Sequence, residues 1–248
     1  MDIPKSQGAQ PGYLVATLIT TSMYPYEYPR PLLAVDIVVF TIRESRLQVL
    51  IIRRAGEPFK GKWALPGGFV QMEEALEEAA SRELNEETGI EGAYLEQLYT
   101  YGNPKRDPRD RVVSVAYFAL IPADAPVRSE GGSDSSQACW FPLDELPSLA
   151  FDHNEIVAYA VRRLRYKLEY TAVGFELLPE EFTLTEIQHA YEIILGEALD
   201  KRNFRRRMLS SGIIEPTQSK RGGEGRPAQL YRYRADAVAE VKARRLFP

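Results

Sequence analysis

One cysteine, Cys139, stands alone in 248 residues. An intramolecular disulfide and a cysteine metal cluster are therefore excluded, and a reducing compartment suits the chain. Long apolar runs are missing too. The longest, Leu32 to Ile42, is interrupted by Asp36 and falls far short of a membrane span. No basic stretch leads into an apolar core at the N-terminus, so no secretory signal is expected. These absences predict a cytoplasmic protein with no membrane partner. Hydrophobic residues at 44% and charged residues at 27% are ordinary for a globular chain, and the length suits one large or two modest domains.

The net charge of −4 is unevenly spread. Between Lys201 and Arg234 ten basic residues face only Glu215 and Glu224, a surplus of +8 that leaves −12 for the remainder. One basic and one acidic end predict two jobs on two domains.

Residues 1–30, rich in Pro, Gly, Tyr and Thr, read as an irregular arm, with Leu14 to Thr20 as a possible short strand. Leu33 to Ile42 and Leu47 to Ile52 are β-branched runs around Arg43-Glu44-Ser45-Arg46, which predicts a hairpin. Gly56 to Gly68 reads as a loop, and Glu74 to Glu87 as a helix ended by Gly89. Strands are expected at Tyr94 to Tyr101, Val112 to Leu120 and Cys139 to Pro142, then a helix from Asn154 to Tyr170.

Thr171 to Glu181 breaks the pattern and reads as a linker. Beyond it, Thr183-Leu-Thr-Glu186 is a capping box opening a helix with an apolar stripe through Ile187, Ala190, Tyr191, Ile194 and Leu195. Asp200 caps a second helix that runs to Ser211. Ile213-Ile214 and Gln229 to Tyr233 flank a basic, glycine-rich tip at 217–227, and a last helix is expected over Ala235 to Arg245. The expected domains are 1–30, 31–172 and 173–248.

The helix from Glu74 has its acids on an unusual face. At 100° per residue Glu83 and Glu87 continue the apolar face of Leu76, Ala79 and Ala80, with Glu86 at its edge. Glu86 and Glu87 also occupy the last turn, where the helix dipole disfavours negative charge. Three carboxylates placed so need a cation, and oxygen-only ligands select a hard ion, Mg²⁺ or Mn²⁺. Arg82, between Glu78 and Glu86, is placed to hold carboxylates.

The stretch Gly68-x5-Glu74-x7-Arg82-Glu83-Leu84-x-Glu86-Glu87-x-Gly89-Ile90 matches the Nudix box at every specified position, and the chance of a random match is on the order of 10⁻⁷. The resemblance implies an α+β fold, a mixed β-sheet sandwiched between α-helices. It also implies cleavage of a nucleoside diphosphate linked to another moiety. Glu83, Glu86 and Glu87 would hold the metal, and Arg82 would orient Glu83. The general base would be Glu83 or an acid on a later loop, Glu130 or Asp134.

Pro58 to Gly68, Arg106 to Arg109, Trp140 to Pro147 and Leu149 to His153 resemble the ADP-ribose pyrophosphatase branch; the likeness covers roughly residues 30 to 170. Arg106 and Arg109 either clamp a diphosphate or terminal ribose phosphate, or form a salt-bridged loop with Asp107 and Asp110. Arg54 and Gly68 are further substrate-site candidates. Trp63 is expected to pack under the box loop, and His153 either touches the site or bonds a neighbouring backbone.

Helix, turn, helix and a two-stranded ribbon with a basic tip is the order of a winged helix. Arg202, Asn203, Arg206 and Arg207 lie opposite Phe204 and Met208, a set able to read base edges and grip phosphates. Lys220, Arg221 and Arg226 suit a wing. Arg205 falls in the apolar arc and is expected to snorkel or to pair with a carboxylate.

Phe182 to Gln188, Asp200 to Arg207 and Gly225 to Arg232 resemble the NrtR group, Nudix-related transcriptional regulators of NAD metabolism. The resemblance implies a Nudix domain that senses ADP-ribose or a related nucleotide, and a homodimer on a palindromic double-stranded operator. Regulators of this kind often carry a degraded box, whereas this one keeps every acid. Three readings stand open at this point. They are a repressor that still hydrolyses ADP-ribose, a repressor that only binds it, and a metabolic pyrophosphatase whose tail is a protein-interaction module.

Overall fold

The structure is a computed structural model that describes residues 28–127, 137–222, 227–234 and 237. Leu14 to Thr20, Glu130, Asp134, Arg226 and nearly all of the expected last helix lie outside the described residues. By contacts the chain divides into two units at Arg30–Pro31, and the larger one begins at Pro31.

The predicted hairpin is formed by β1 (Leu32–Arg43) and β2 (Arg46–Arg53). Its two turn residues, Glu44 and Ser45, both have positive φ (52° and 56°), the backbone that lets a two-residue turn follow strand twist. Two short strands, β3 (Trp63–Ala64) and β4 (Gly67–Phe69), occupy part of the stretch expected to be all loop. Helix α1 (Leu76–Thr88) ends at Gly89 in the left-handed conformation (φ 73°). Then come β5 (Tyr94–Tyr101), β6 (Val112–Leu120), β7 (Ala138–Pro142) and α2 (His153–Tyr170).

The sheet order is β3-β2-β1-β6-β5, with β4 against β1 and β7 against β2. Strand β1 runs parallel to β6 and antiparallel to β2 and β4, so the sheet is mixed. Alternate residues of β1 face opposite ways. Val35, Ile37 and Val39 share one core cluster with Ala79, Ala80 and Leu84 of α1. Val38 and Phe40 share the other with Ile156, Ala160 and Leu164 of α2. The helices therefore cover opposite faces.

The expected linker is not a free tether. Val173–Leu177 forms a short 3-10 helix whose Val173, Gly174, Phe175 and Leu177 are buried. Their apolar side chains join the α2 core, which continues into the C-terminal elements through Phe182, Ile187, Tyr191, Phe204 and Met208. A Cβ on Gly174 would stand 2.8 Å from both Leu168 and Tyr191, so this close approach requires glycine. The C-terminal elements are β8 (Phe182–Thr183), α3 (Leu184–Leu195), α4 (Lys201–Ser210), β9 (Ile214–Arg221) and β10 (Ala228–Tyr233). Strand β10 lies between β8 and β9, a three-stranded sheet where two strands were expected. Strand β9 also runs five residues into the expected tip. Among the described residues no helix is long and apolar enough to cross a membrane.

Candidate functional site: an acidic cavity and a basic helix

Arg82 is the hub of α1. Its Nε and Nη2 donate to Glu74 at 2.9 and 2.6 Å, its Nη1 to Glu83 at 2.7 Å and to Glu86 at 3.3 Å. Nη2 also donates to the Phe69 carbonyl at 3.2 Å, tying the helix to β4. The paired guanidinium, with the Gln71 N–H, holds the Glu74 carboxyl down at about 2. Glu74 precedes the helix rather than opening it. Glu78 is not an Arg82 partner either, because its carboxylate accepts the Ala75 N–H at 2.8 Å and so caps the first turn.

Glu83 lies against Gly68 so closely that a Cβ there would meet its Oε1 at 2.3 Å. Glu87 accepts the Gly67 N–H at 2.8 Å. Burial pushes the Glu87 carboxyl up to about 8, and the nearby Glu83 adds to the shift while the Gly67 N–H opposes it. Glu86 is 60% exposed at its side chain.

Among the described residues no three acidic, histidine or cysteine side chains are gathered as a metal centre. Arg82 draws Glu83 and Glu86, and the Gly67 amide draws Glu87. The donor set still fits a hard divalent cation. It is all oxygen, and it includes the part-buried Glu87, whose carboxylate a cation would keep ionised.

Beside the acids lies a cavity of about 520 Å³ lined by Arg54, Gly68, Glu86, Glu87, Arg106 and Arg109, with Phe69, Phe151 and His153 among its further walls. That size suits a drug-sized or nucleotide ligand. Arg54 donates to the Pro58 carbonyl at 2.8 Å and lies 4.8 Å over the Phe151 ring. Burial lowers its pKa, and Arg109 adds to that. Arg109 lies 5.5 Å over Phe69 and pairs with Asp107 through Nε at 3.0 Å and Nη2 at 2.7 Å.

Arg106 is 5% exposed at its side chain and reaches Asp36 at 3.0 Å and Asp152 at 2.7 Å. Both arginines thus have carboxylate partners, but Asp110 is not among them; it accepts the Arg111 N–H at 2.6 Å. His153 does both things considered for it. It lines the cavity, and its Nδ1 accepts the Leu65 N–H at 2.9 Å. Burial lowers its pKa, so the ring is neutral near pH 7.

Trp63 is not under the box loop. Its ring stands 5.2 Å from Phe141 and packs on the α2 side of the sheet, away from α1. Sequence reasoning also missed Phe69, Phe151, Asp107 and Asp36 as cavity walls. Asp36 had a signal, a carboxylate inside an apolar strand. Phe151, with φ of 53°, had none.

The C-terminal half arranges charge differently. Asp200 accepts the Asn203 N–H at 2.8 Å and starts α4. Phe204 and Met208 are buried, which turns Arg202, Asn203 and Arg206 outward, all exposed, with Arg207 part-buried. Arg206 Nη2 donates to the side-chain Oδ1 of Asn203 at 3.0 Å. Arg205 pairs with a hydroxyl, Thr185 Oγ1 at 3.1 Å, rather than a carboxylate. Lys220 is exposed on β9. Arg221 bonds Glu186 and the Glu181 carbonyl, so this wing residue is turned back onto the start of α3.

The family model of the NUDIX domain matches residues 31–164, and that of the NrtR DNA-binding winged helix domain matches residues 174–233. The ADPR responsive transcriptional repressor NtrR of Acinetobacter baylyi is 48% identical over 212 residues, 84% of each chain. The crystal structure of Shewanella oneidensis NrtR complexed with a 27mer DNA superposes with a TM-score of 0.78 at 39% identity, covering 87% of this chain and 99% of that one. The NUDIX domain of the same protein, complexed with ADP ribose, gives a TM-score of 0.51 at 39% identity, covering 58% of this chain and 94% of that one. The acid-lined cavity and the outward basic helix thus sit in two matched domains, and the chain belongs to the Nudix family in its NrtR form, a Nudix domain followed by a DNA-binding winged helix.

Proposed function

We propose that this chain is an ADP-ribose-responsive transcriptional repressor. Its Nudix unit, over 31–172, binds ADP-ribose, and its winged unit, from 173 onward, binds a double-stranded operator. One observation carries the reading: a nucleotide-sized cavity with acids and guanidiniums on its walls shares a continuous core with a helix that turns Arg202, Asn203 and Arg206 to solvent. The names of the relatives agree, an ADPR responsive repressor and a NrtR seen once with DNA and once with ADP ribose.

In the cavity, Arg106 and Arg109 clamp the diphosphate with Arg54 beside them, and the Gly67–Gly68 backbone lets the box acids approach it. Glu83, Glu86 and Glu87 would hold a divalent cation, Mg²⁺ or Mn²⁺, which when bound would neutralise the pyrophosphate and supply an activated water. Arg82 keeps Glu83 and Glu74 in place. Because every box acid is present, the chain also hydrolyses ADP-ribose, with Glu83 as base or with Glu130 or Asp134, which lie outside the described residues. On DNA, Arg206 and Asn203 act as a pair at base edges, Arg202 and Arg207 grip phosphates, and the wing cation is Lys220, since Arg221 is paired with Glu186 and Arg226 lies outside the described residues. A two-fold homodimer matches a palindromic site.

The test is a gel-shift titration of the protein against the region upstream of its own gene. A specific, salt-sensitive complex that responds to ADP-ribose is expected, and no specific complex overturns the reading. Coupled phosphate release from ADP-ribose with Mg²⁺ tests turnover separately, and Glu83→Gln should abolish it.

A further inference from the structure

Asp152 occupies the N-cap position of α2, where an aspartate side chain ordinarily accepts an N–H of the first turn. It makes no such bond. Its carboxylate is held instead by Arg106, Nη2 to Oδ1 at 2.7 Å and Nε to Oδ2 at 2.9 Å. Arg106 also reaches Asp36 at 3.0 Å while lining the cavity. Asp36 accepts further bonds from Ser114 at 2.5 Å and faces His153 Nε2 at 3.4 Å. Two carboxylates thus share one guanidinium beside His153. A diphosphate entering this cavity competes with Asp152 for Arg106; the His153 and Glu155 amides already bond the Ala150 and Asp152 carbonyls, so the Asn154 N–H is the first-turn donor open to the released carboxylate.

Helix α2 is 18 residues, about 27 Å long. Its first residue, His153, holds the Leu65 N–H of the segment that leads into the box. Toward its other end, Arg165 Nε donates to the Ile194 carbonyl at 2.8 Å, in the last turn of α3. There Leu164 and Leu168 share a core with Tyr191. Tyr191 in turn meets Phe204 of α4 edge to face, with ring centroids 5.6 Å apart. An unbroken packed path therefore joins the cavity floor to the helix that carries Arg202, Asn203 and Arg206.

We propose that Asp152 is the switch between ligand and DNA: it pairs with Arg106 as seen here, caps α2 when a diphosphate takes Arg106, and α2 passes the change to α3 and α4 through Arg165. This rests on the cavity being the nucleoside diphosphate site. The two-state element is one carboxylate with two alternative partners, which is what coupling between distant sites requires.

The experiment uses the full chain in wild-type, Asp152→Asn and Arg165→Met forms. Calorimetry gives ADP-ribose affinity, and anisotropy gives operator affinity with and without saturating ADP-ribose. The wild-type ratio of operator affinities is expected at about 5- to 150-fold. Arg165→Met should bring that ratio to about 1 while keeping ADP-ribose affinity and ligand-free operator affinity within about twofold of wild type. Asparagine caps a helix as well as aspartate but cannot form the ion pair. Asp152→Asn should therefore show, without ligand, the operator affinity of ligand-saturated wild type. A wild-type ratio in either variant overturns the proposal. Absence of ADP-ribose heat in the wild type would sink the ligand reading instead. A ligand-independent arm still decides the switch in that case: Asp152→Asn must change amide exchange at residues 194–196, and unchanged exchange overturns it.

Discussion

The box helix α1 and the basic helix α4 are both crowded with charge, yet they handle it in opposite ways. On α1 Glu83 and Glu87 are turned toward the protein, and Arg82 engages Glu83, Glu86 and, just before the helix, Glu74. On α4 the buried positions are Phe204 and Met208, and Arg202, Asn203 and Arg206 point to solvent. Inward charges held by one another build a shaped site for a small, highly charged ligand. Outward charges are suited to a polyanion that brings its own surface. Burial is the variable that separates the two, since a charge in a low-dielectric site must be matched locally while an exposed one is screened.

The sharpest way to break this comparison is at Arg82. Arg82→Ala leaves Glu74 and Glu83 without their shared partner, at side-chain exposures of 12% and 13%. A lower urea midpoint is expected, the largest stability change of this set. Next is the pH response of Glu87. Its folded carboxyl is raised to about 8 from an ordinary value of 4.5, so the folded chain keeps a proton that the unfolded chain has lost. Stability of the metal-free protein should therefore fall as pH rises from 4.5 through 8 and level off above, a fall visible in Tm. Glu87→Gln should flatten that profile.

Substitutions on α4 should leave stability almost untouched. Arg206→Ala is expected to weaken operator binding by about tenfold or more while sparing ADP-ribose hydrolysis. Equal loss of both activities would contradict a division of labour between the halves. The smallest effect is expected at Lys220, where Lys220→Ala should reduce the salt slope of DNA binding by about 1 and weaken all sequences alike.

Local chemistry was legible in the sequence. The β1–β2 hairpin, the left-handed Gly89 after α1, the Thr183–Glu186 capping box and the Asp200 cap all follow from residues within a few positions of one another. The box acids were readable from helical spacing alone. Pairings made across the chain were not. Arg106 meets Asp36 70 residues away and Asp152 46 residues away, and a loop with aspartates beside it gave no reason to look so far. Arg221 read as a wing cation, yet its partner Glu186 is 35 residues upstream. The supposed linker misled for a related reason. Thr171 to Glu181 broke the helical pattern and so suggested a tether, but Val173, Phe175 and Leu177 find their core on α2 and α3, which only the assembled fold reveals.

The central claim is that the two helices belong to one device, in which a ligand beside α1 alters what α4 does on DNA. Fluorescence anisotropy of the intact protein on a duplex from upstream of its own gene, titrated with ADP-ribose at fixed salt, tests it most directly. The account predicts a sequence-specific complex whose affinity shifts saturably with ADP-ribose. A specific complex that ADP-ribose leaves unchanged, although calorimetry shows the nucleotide bound, would contradict it.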